Sequence, residues 1–249
     1  MTVLVGGVGQ LYQGDLDLGR HVAERLAATS LGKEFVVEEL HYGAVAVTQR
    51  LEELGVRELI VVGAAQRGDP PGSVRRRRVH AVDLPPERVA ESVRDAVTGY
   101  VTIDLLLDVA SGLGALPART VSIEVEPAWT QPGEHLSPEA STGLEVALQL
   151  VTAEVGRLPL LELADRLRPL TSTDRLEISA ALQTIRMVLD ELETLDEAAR
   201  WGATFSLRDR LRADIASGQT SEGMDHQDWA LWWALIEELD RCQAREATG

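Results

Sequence analysis

The chain has 249 residues, enough for a domain of roughly 150 residues with a smaller appendage. Its net charge of −16 speaks against a nucleic-acid backbone as partner and favours solubility or a basic protein target. One cysteine, Cys242, excludes an internal disulfide or a cysteine-based metal cluster, and no apolar run approaches the ~20 residues of a membrane span. The opening residues carry no basic leader, so the chain reads as unprocessed, soluble and cytoplasmic.

Residues 3–6 predict a first buried strand, followed by a glycine-rich loop and a helix over 17–28. A second strand is expected over 35–40 and a second helix over 45–54. A third strand, ELIVVG at 58–63, is continuously apolar as central parallel strands are. Asp69-Pro70-Pro71-Gly72 makes a turn.

The next strand, 74–82, contains Arg75, Arg76, Arg77 and Arg78. Such a run reads either as an exposed edge strand protected by charge or as a dock for an acidic partner. A helix over 101–113, a fifth strand over 120–125 and a closing helix over 138–155 complete the series, with Ser137 as N-cap and Pro138 at the first helical position.

Alternating strands and helices of this kind predict an α/β fold. The expected architecture is a three-layer helix-sheet-helix sandwich around a mainly parallel five-stranded sheet, phosphorylase/hydrolase-like.

Beyond residue 156 the strand signal stops, which divides the chain into an α/β domain, 1–155, and an all-helical extension, 156–249, joined near 156–159. Ile178, Leu182, Ile185, Leu189 and Leu192 form a heptad-like stripe on a helix starting at Asp174, with Glu177 supporting its cap. A short helix over 207–215 follows. Trp229, Trp232 and Trp233 then line a final helix with Ile236 and Leu239, either as the core of a small bundle or as a face that docks a partner.

The most specific motif is VLVGGVGQLYQGDLDLG at 3–19, which resembles the opening of the hydrogenase maturation proteases: a strand, a glycine turn, an acidic pair and a glycine three residues after the second acid. Gly7, Gly9, Gly14, Asp15 and Gly19 match that pattern. PAWTQPGEHLSPEASTGLEVALQLV at 127–151 is similar to the family's closing loop and last helix, and ELIVVGAA with Pro71-Gly72 to its third strand and following turn. The rival reading, a nucleotide-binding loop over 6–14, has neither the dinucleotide glycine spacing nor the Lys-Ser/Thr of a P-loop.

The resemblance implies an enzyme that recognises nickel already installed in a hydrogenase large-subunit precursor and then removes the precursor's C-terminal extension. It also implies three metal-contacting side chains: an acid after the first loop, an aspartate ending the third strand and a histidine near the fourth helix. Here the first position holds Leu16, the second Gly63 by simple register or Ala64 or Ala65 if the strand slips, and the third Thr102 or Tyr100, and no histidine occurs anywhere from 83 to 117. Nickel takes imidazole or carboxylate ligands, for which aliphatic groups cannot substitute.

What is left near the motif is Asp15, Asp17 and His21. Asp17 and His21, four apart, share a helix face and form either a displaced catalytic or metal-binding pair or an ordinary solvent-exposed one. Asp104 and Asp108 repeat the spacing, Asp15 is a candidate helix cap, and His135 stands without a second histidine near it in sequence. No Ser-His-Asp or Cys-His arrangement can be assembled from sequence alone.

The expectation is therefore a maturation-protease-like protein without resident metal or nickel-dependent cleavage. It would act by binding a protein partner, with a hydrogenase-like large subunit as candidate client. The alternative is an active endopeptidase using Asp15, Asp17 and His21.

Overall fold

The computed structural model describes residues 2–29, 31–32, 35–96 and 100–167, and further along Asp209, Arg212, Ala213, Glu237, Asp240 and Arg241. The stripe over 178–192, the short helix over 207–215 as a whole and the tryptophans at 229, 232 and 233 lie outside the described residues. The chain forms two compact units, Met1–Thr152 and Ala153–Gly249.

The first unit is built on five strands: β1 (Thr2–Val8), β2 (Phe35–Glu39), β3 (Val56–Ala64), β4 (Val74–Val79) and β5 (Arg119–Val125). They lie in the order β2-β1-β3-β5-β4, with every pairing parallel except β4 against β5. β3 is central, and its Leu59, Ile60, Val61 and Val62 are all buried because helices cover both faces.

Side chains alternate between the faces with the two-residue period of a strand. Leu4, Leu59 and Val61 join Val47 and Leu51 of α2 (Ala44–Leu54) and Leu106 and Ala110 of α4 (Ile103–Gly112) in one cluster. On the opposite face α1 (Leu18–Ala27) packs on β1, β2 and β3 through Leu18, Val22 and Leu26. α5 (Pro138–Leu167) lies beside α1 there: Arg25 Nη1 donates to Glu145 Oε1 at 2.9 Å, and a Cβ on Gly143 would come within 2.5 Å of Val125 Cγ1 on β5. This is the expected α/β helix-sheet-helix sandwich with a mainly parallel five-stranded sheet.

The structure departs from the sequence reading at three elements. α3 (Pro86–Ala96) is an additional helix, started by Pro86 and matched to the helix dipole by Glu87 in its first turn and Arg94 in its last. Its inward face consists of Val89, Ser92, Val93 and Ala96. β4 ends at Val79 and not at 82, because both the N–H and the C=O of Val82 pair with the hydroxyl of Ser111 on α4. α5 passes through positions 155–159 and ends at Leu167. Ser137 caps it as expected, its Oγ accepting from Ala140 N at 3.1 Å.

The arginine run is an edge strand. Arg75 pairs with Asp69 at 2.6 Å and Arg77 with Glu124 at 2.9 Å, so the charge that guards the edge is partly neutralised within the fold.

Candidate functional site

The glycines of the first motif permit a close approach of strand and helix. A Cβ on Gly7 would lie 1.9 Å from the Gly19 carbonyl oxygen, so the start of α1 can rest directly on β1 only without side chains at that crossing. Past Val8 the chain folds back on itself, Gln10 N donating to Leu16 O at 2.9 Å, and enters a single 3-10 turn over Gly14–Asp17. Tyr12, in this loop, has φ +59°, the one non-glycine residue with positive φ among the described residues.

Asp15 is fully buried, and its carboxylate is saturated with donors. Oδ2 accepts from Ala128 N, Trp129 N and Ser137 Oγ, each at 2.8 Å, and Oδ1 accepts from Ser137 N at 2.6 Å. The backbones interlock as well: Asp15 N donates to Trp129 O, Gly14 N to Gly133 O and Gly133 N to Tyr12 O. Asp15 does not cap a helix, since no side-chain cap bond is present at the 3-10 turn or at α1. It fastens the first loop to the closing loop, which satisfies backbone N–H groups that would otherwise be buried unpaired. The Trp129 ring covers this junction: Cβ atoms on Gly14 and Gly133 would come within 2.8 Å and 2.3 Å of it.

Asp17 is not on an exposed surface. Its side chain is 1% accessible, and its Oδ2 accepts from Tyr12 N at 3.2 Å and from Arg20 Nε and Nη2 at 2.9 and 2.8 Å. Its Oδ1 is buried with no hydrogen-bond partner. Helical spacing does put His21 on the same side, yet the carboxylate is taken by Arg20, whose Nη2 lies 3.1 Å from His21 Nε2. Arginine can only donate, so Nε2 accepts and the ring is neutral in this contact. Burial, and then the Arg20 charge, push the His21 imidazole below its usual range against the pull of Asp17 and Glu24. His135 is near enough to add to that depression.

The three positions at which the family resemblance implies metal contacts are accounted for separately. Leu16 is half-buried and offers only its backbone to the loop. A Cβ on Gly63 would sit 2.3 Å from the Val8 carbonyl oxygen and 3.4 Å from Ile103 Cδ1, so no ligating side chain fits at that position without moving β1. Thr102 is the N-cap of α4, its Oγ1 accepting from Leu105 N at 3.2 Å. Among the described residues no group of three or more His, Cys, Asp or Glu side chains is placed to hold a metal ion. This donor set does not fit nickel.

A second polar cluster, which the sequence reading missed, lies beyond the ends of β3 and β5. Arg67 donates from Nε to the buried Glu124 at 2.7 Å and from Nη1 and Nη2 to both oxygens of Asp104 at 2.8 Å. Its backbone N–H donates to Glu126 Oε2 at 2.7 Å. Burial raises the Glu124 carboxyl, but hydrogen bonds from Arg67, Arg77 and Ser122 outweigh it and hold the group below its ordinary range. The visible trace in the sequence is Ser122 and Glu124 alternating with Ile123 and Val125. Its meaning depends on the antiparallel register that sets Arg75 beside Glu124 and Arg77 beside Ser122. Asp108, the other half of the Asp104 spacing, instead faces Arg88 on α3 at 3.7 Å.

Among the described residues no helix is long and apolar enough to cross a membrane. No protein-family model and no curated protein matches the chain. Solved structures do. The chain is similar to a hydrogenase 2 maturation peptidase from a Thaumarchaeota archaeon, with 25% identity and a TM-score of 0.46 over 63% of this chain and 99% of that one. It is also similar to the hydrogenase maturating endopeptidase HybD of E. coli, with 24% identity and a TM-score of 0.46 over 62% of this chain and 92% of that one. An endopeptidase from E. coli gives 21% identity and a TM-score of 0.49 over 63% of this chain and 93% of that one. Hydrogenase maturation peptidases are among the solved structures to which this chain is similar.

Proposed function

We propose that this chain is a hydrogenase maturation protease-like protein that no longer cleaves by the nickel-dependent route and acts by binding a protein client, a hydrogenase-like large-subunit precursor being the candidate. The observation that carries this reading is Gly63. Its missing side chain is enforced by the 2.3 Å approach of a Cβ to the Val8 carbonyl oxygen, so one of the three implied contacts cannot be restored by a single substitution. Leu16 adds an aliphatic group and Thr102 spends its hydroxyl on a helix cap, while the glycine and Asp15 framework around them is kept intact. Loss of ligands within a preserved frame suits a protein selected for binding.

The alternative, an active endopeptidase using Asp15, Asp17 and His21, has one point in its favour: the buried Oδ1 of Asp17 lacks a partner. Against it, Asp15 is occupied by four donors and Asp17 by Arg20.

Incubation with a nickel-loaded large-subunit precursor, followed by native and denaturing mass spectrometry, tests the proposal. The expected result is a complex in which the precursor keeps its full length. A shortened precursor overturns the reading in favour of the enzyme, and absence of any complex overturns the choice of client.

A further inference from the structure

The polar groups at the start of α1 satisfy one another incompletely. Asp17 Oδ2 accepts from Tyr12 N, Arg20 Nε and Arg20 Nη2, whereas Oδ1 of the same carboxylate is buried and has no hydrogen-bond partner. Folds ordinarily avoid such an oxygen, because burial strips its water without supplying a donor. Four residues on, along the same helix face, stands His21, whose side chain is 25% accessible and whose Nε2 lies 3.1 Å from Arg20 Nη2. Arginine keeps its protons, so Nε2 carries none in this contact and the ring's one proton is on Nδ1. The position of Nδ1, 4.0 Å from Glu24 Oε2, agrees with that tautomer.

A proton arriving on Nε2 makes the arrangement untenable. Two N–H donors, each part of a cation, would then point at each other across 3.1 Å. The charged and titratable groups that face the ring are Arg20 and Glu24 from α1, Asp17 from the turn before it and His135 from the closing loop. Glu24 is half exposed, and its Oε1 already accepts from Arg20 while its Oε2 lies on the Nδ1 side. The acceptor left for a new Nε2–H is Asp17 Oδ1.

Arg20 need not leave Asp17 when this happens. Its Nε keeps Oδ2 at 2.9 Å and its Nη1 keeps Glu24 at 2.8 Å while the Nη2 edge turns. The same guanidinium stands 5.9 Å from the Tyr12 ring centroid, and Tyr12 N shares Oδ2 with it, so the turn is passed to the first loop. Tyr12 carries a positive φ, and the segment that receives the motion is therefore already strained.

We propose that His21 is a proton-operated switch on the first loop: neutral, it accepts from Arg20; protonated, it donates from Nε2 to Asp17 Oδ1 and turns the guanidinium away from Tyr12. The ring takes one proton from solvent, and no covalent bond of the chain changes. Burial, and then Arg20, push the imidazole downward, which places the exchange on the acid side of the ordinary histidine value. The switch concerns only how the loop beside Asp15 is held and does not depend on the client proposed above.

Long-range proton–nitrogen correlation spectra of the full-length protein, recorded from about pH 8 to about pH 5, follow the histidine rings and the Arg20 side chain, with the Tyr12 amide and the Asp17 carboxyl carbon read alongside. His21→Gln identifies the His21 signals and supplies an acceptor that does not titrate. At the alkaline end the His21 proton should sit on Nδ1, whereas an unconstrained imidazole carries it mainly on Nε2. On acidification the Arg20, Tyr12 and Asp17 signals should move with the midpoint of the His21 ring. They should lose that common movement in His21→Gln and keep it in His135→Gln. A proton on Nε2 at the alkaline end overturns the proposal, and that reading is made on the parent protein whether or not either variant folds. So does a His21 ring that titrates while the other three signals stay still, or a common movement that survives in His21→Gln or disappears in His135→Gln.

Discussion

Replacing Asp15 separates a structural from a chemical role for the family-like acid. In Asp15→Ala the N–H groups of Ala128, Trp129 and Ser137 lose their acceptor, along with the Ser137 hydroxyl. A buried donor without a partner costs about 1–3 kcal/mol, and relaxation with water entry recovers part of the sum, which leaves a loss of about 3–5 kcal/mol. At about 2–4 °C per kcal/mol for a protein of this size, the melting temperature falls by about 6–20 °C. Asp15→Asn keeps one carbonyl oxygen but turns an amide NH2 toward a donor, so it should lose about 2–3 kcal/mol. Thermal unfolding followed by circular dichroism, with urea titration as a second measure, gives both values. If Asp15→Asn melts within about a degree of the parent, the carboxylate is not a fastening and the reasoning fails.

Gly63→Asp drives a Cβ onto the Val8 carbonyl, 2.3 Å away, and should destabilise the fold by about 1–3 kcal/mol without creating a nickel site. Equilibrium dialysis against nickel that finds one ion bound per chain would contradict this. Burial depresses the folded-state His21 pKa, so its contribution to stability is fully present above the ordinary value of 6.5 and is lost as pH falls through the lowered folded-state value. His21→Gln should flatten the dependence of melting temperature on pH below about pH 6.5, and an unchanged slope would show that burial of the ring has no such effect.

The fold was legible wherever a short segment determined its own environment. The apolar run 58–63 could only be a central strand, and Ser137-Pro138 marked the start of α5 without outside help. What stayed hidden depended on partners distant in sequence. Asp15 and Ser137 are 122 positions apart, and nothing local to either announces the bond. The spacing of Asp17 and His21 gave their common face correctly but not the fact that Arg20 would take the carboxylate or that the loop through Tyr12 would bury it. α3 was not read although its start at Pro86 and its apolar face were in the sequence, and β4 was drawn too long because its end is set by Ser111 on another helix. At the site, the roles of Leu16, Gly63 and Thr102 are implied by the family resemblance alone, while the close approach that keeps position 63 a glycine emerges only from the packing of β3 against β1.

The Asp15 junction has a consequence for the order in which the chain acquires its shape. The loop after β1 is among the first segments synthesised, yet the groups that hold its carboxylate are contributed by residues 128–137. Bringing such remote segments together requires closing a long loop, which is slow and gains little until neighbouring strands are in place. Until β5 adds to the sheet and presents the segment that follows it, Asp15 lacks its four donors and the Tyr12 turn lacks its bond from Gly133. The front of the molecule is therefore finished by its later half.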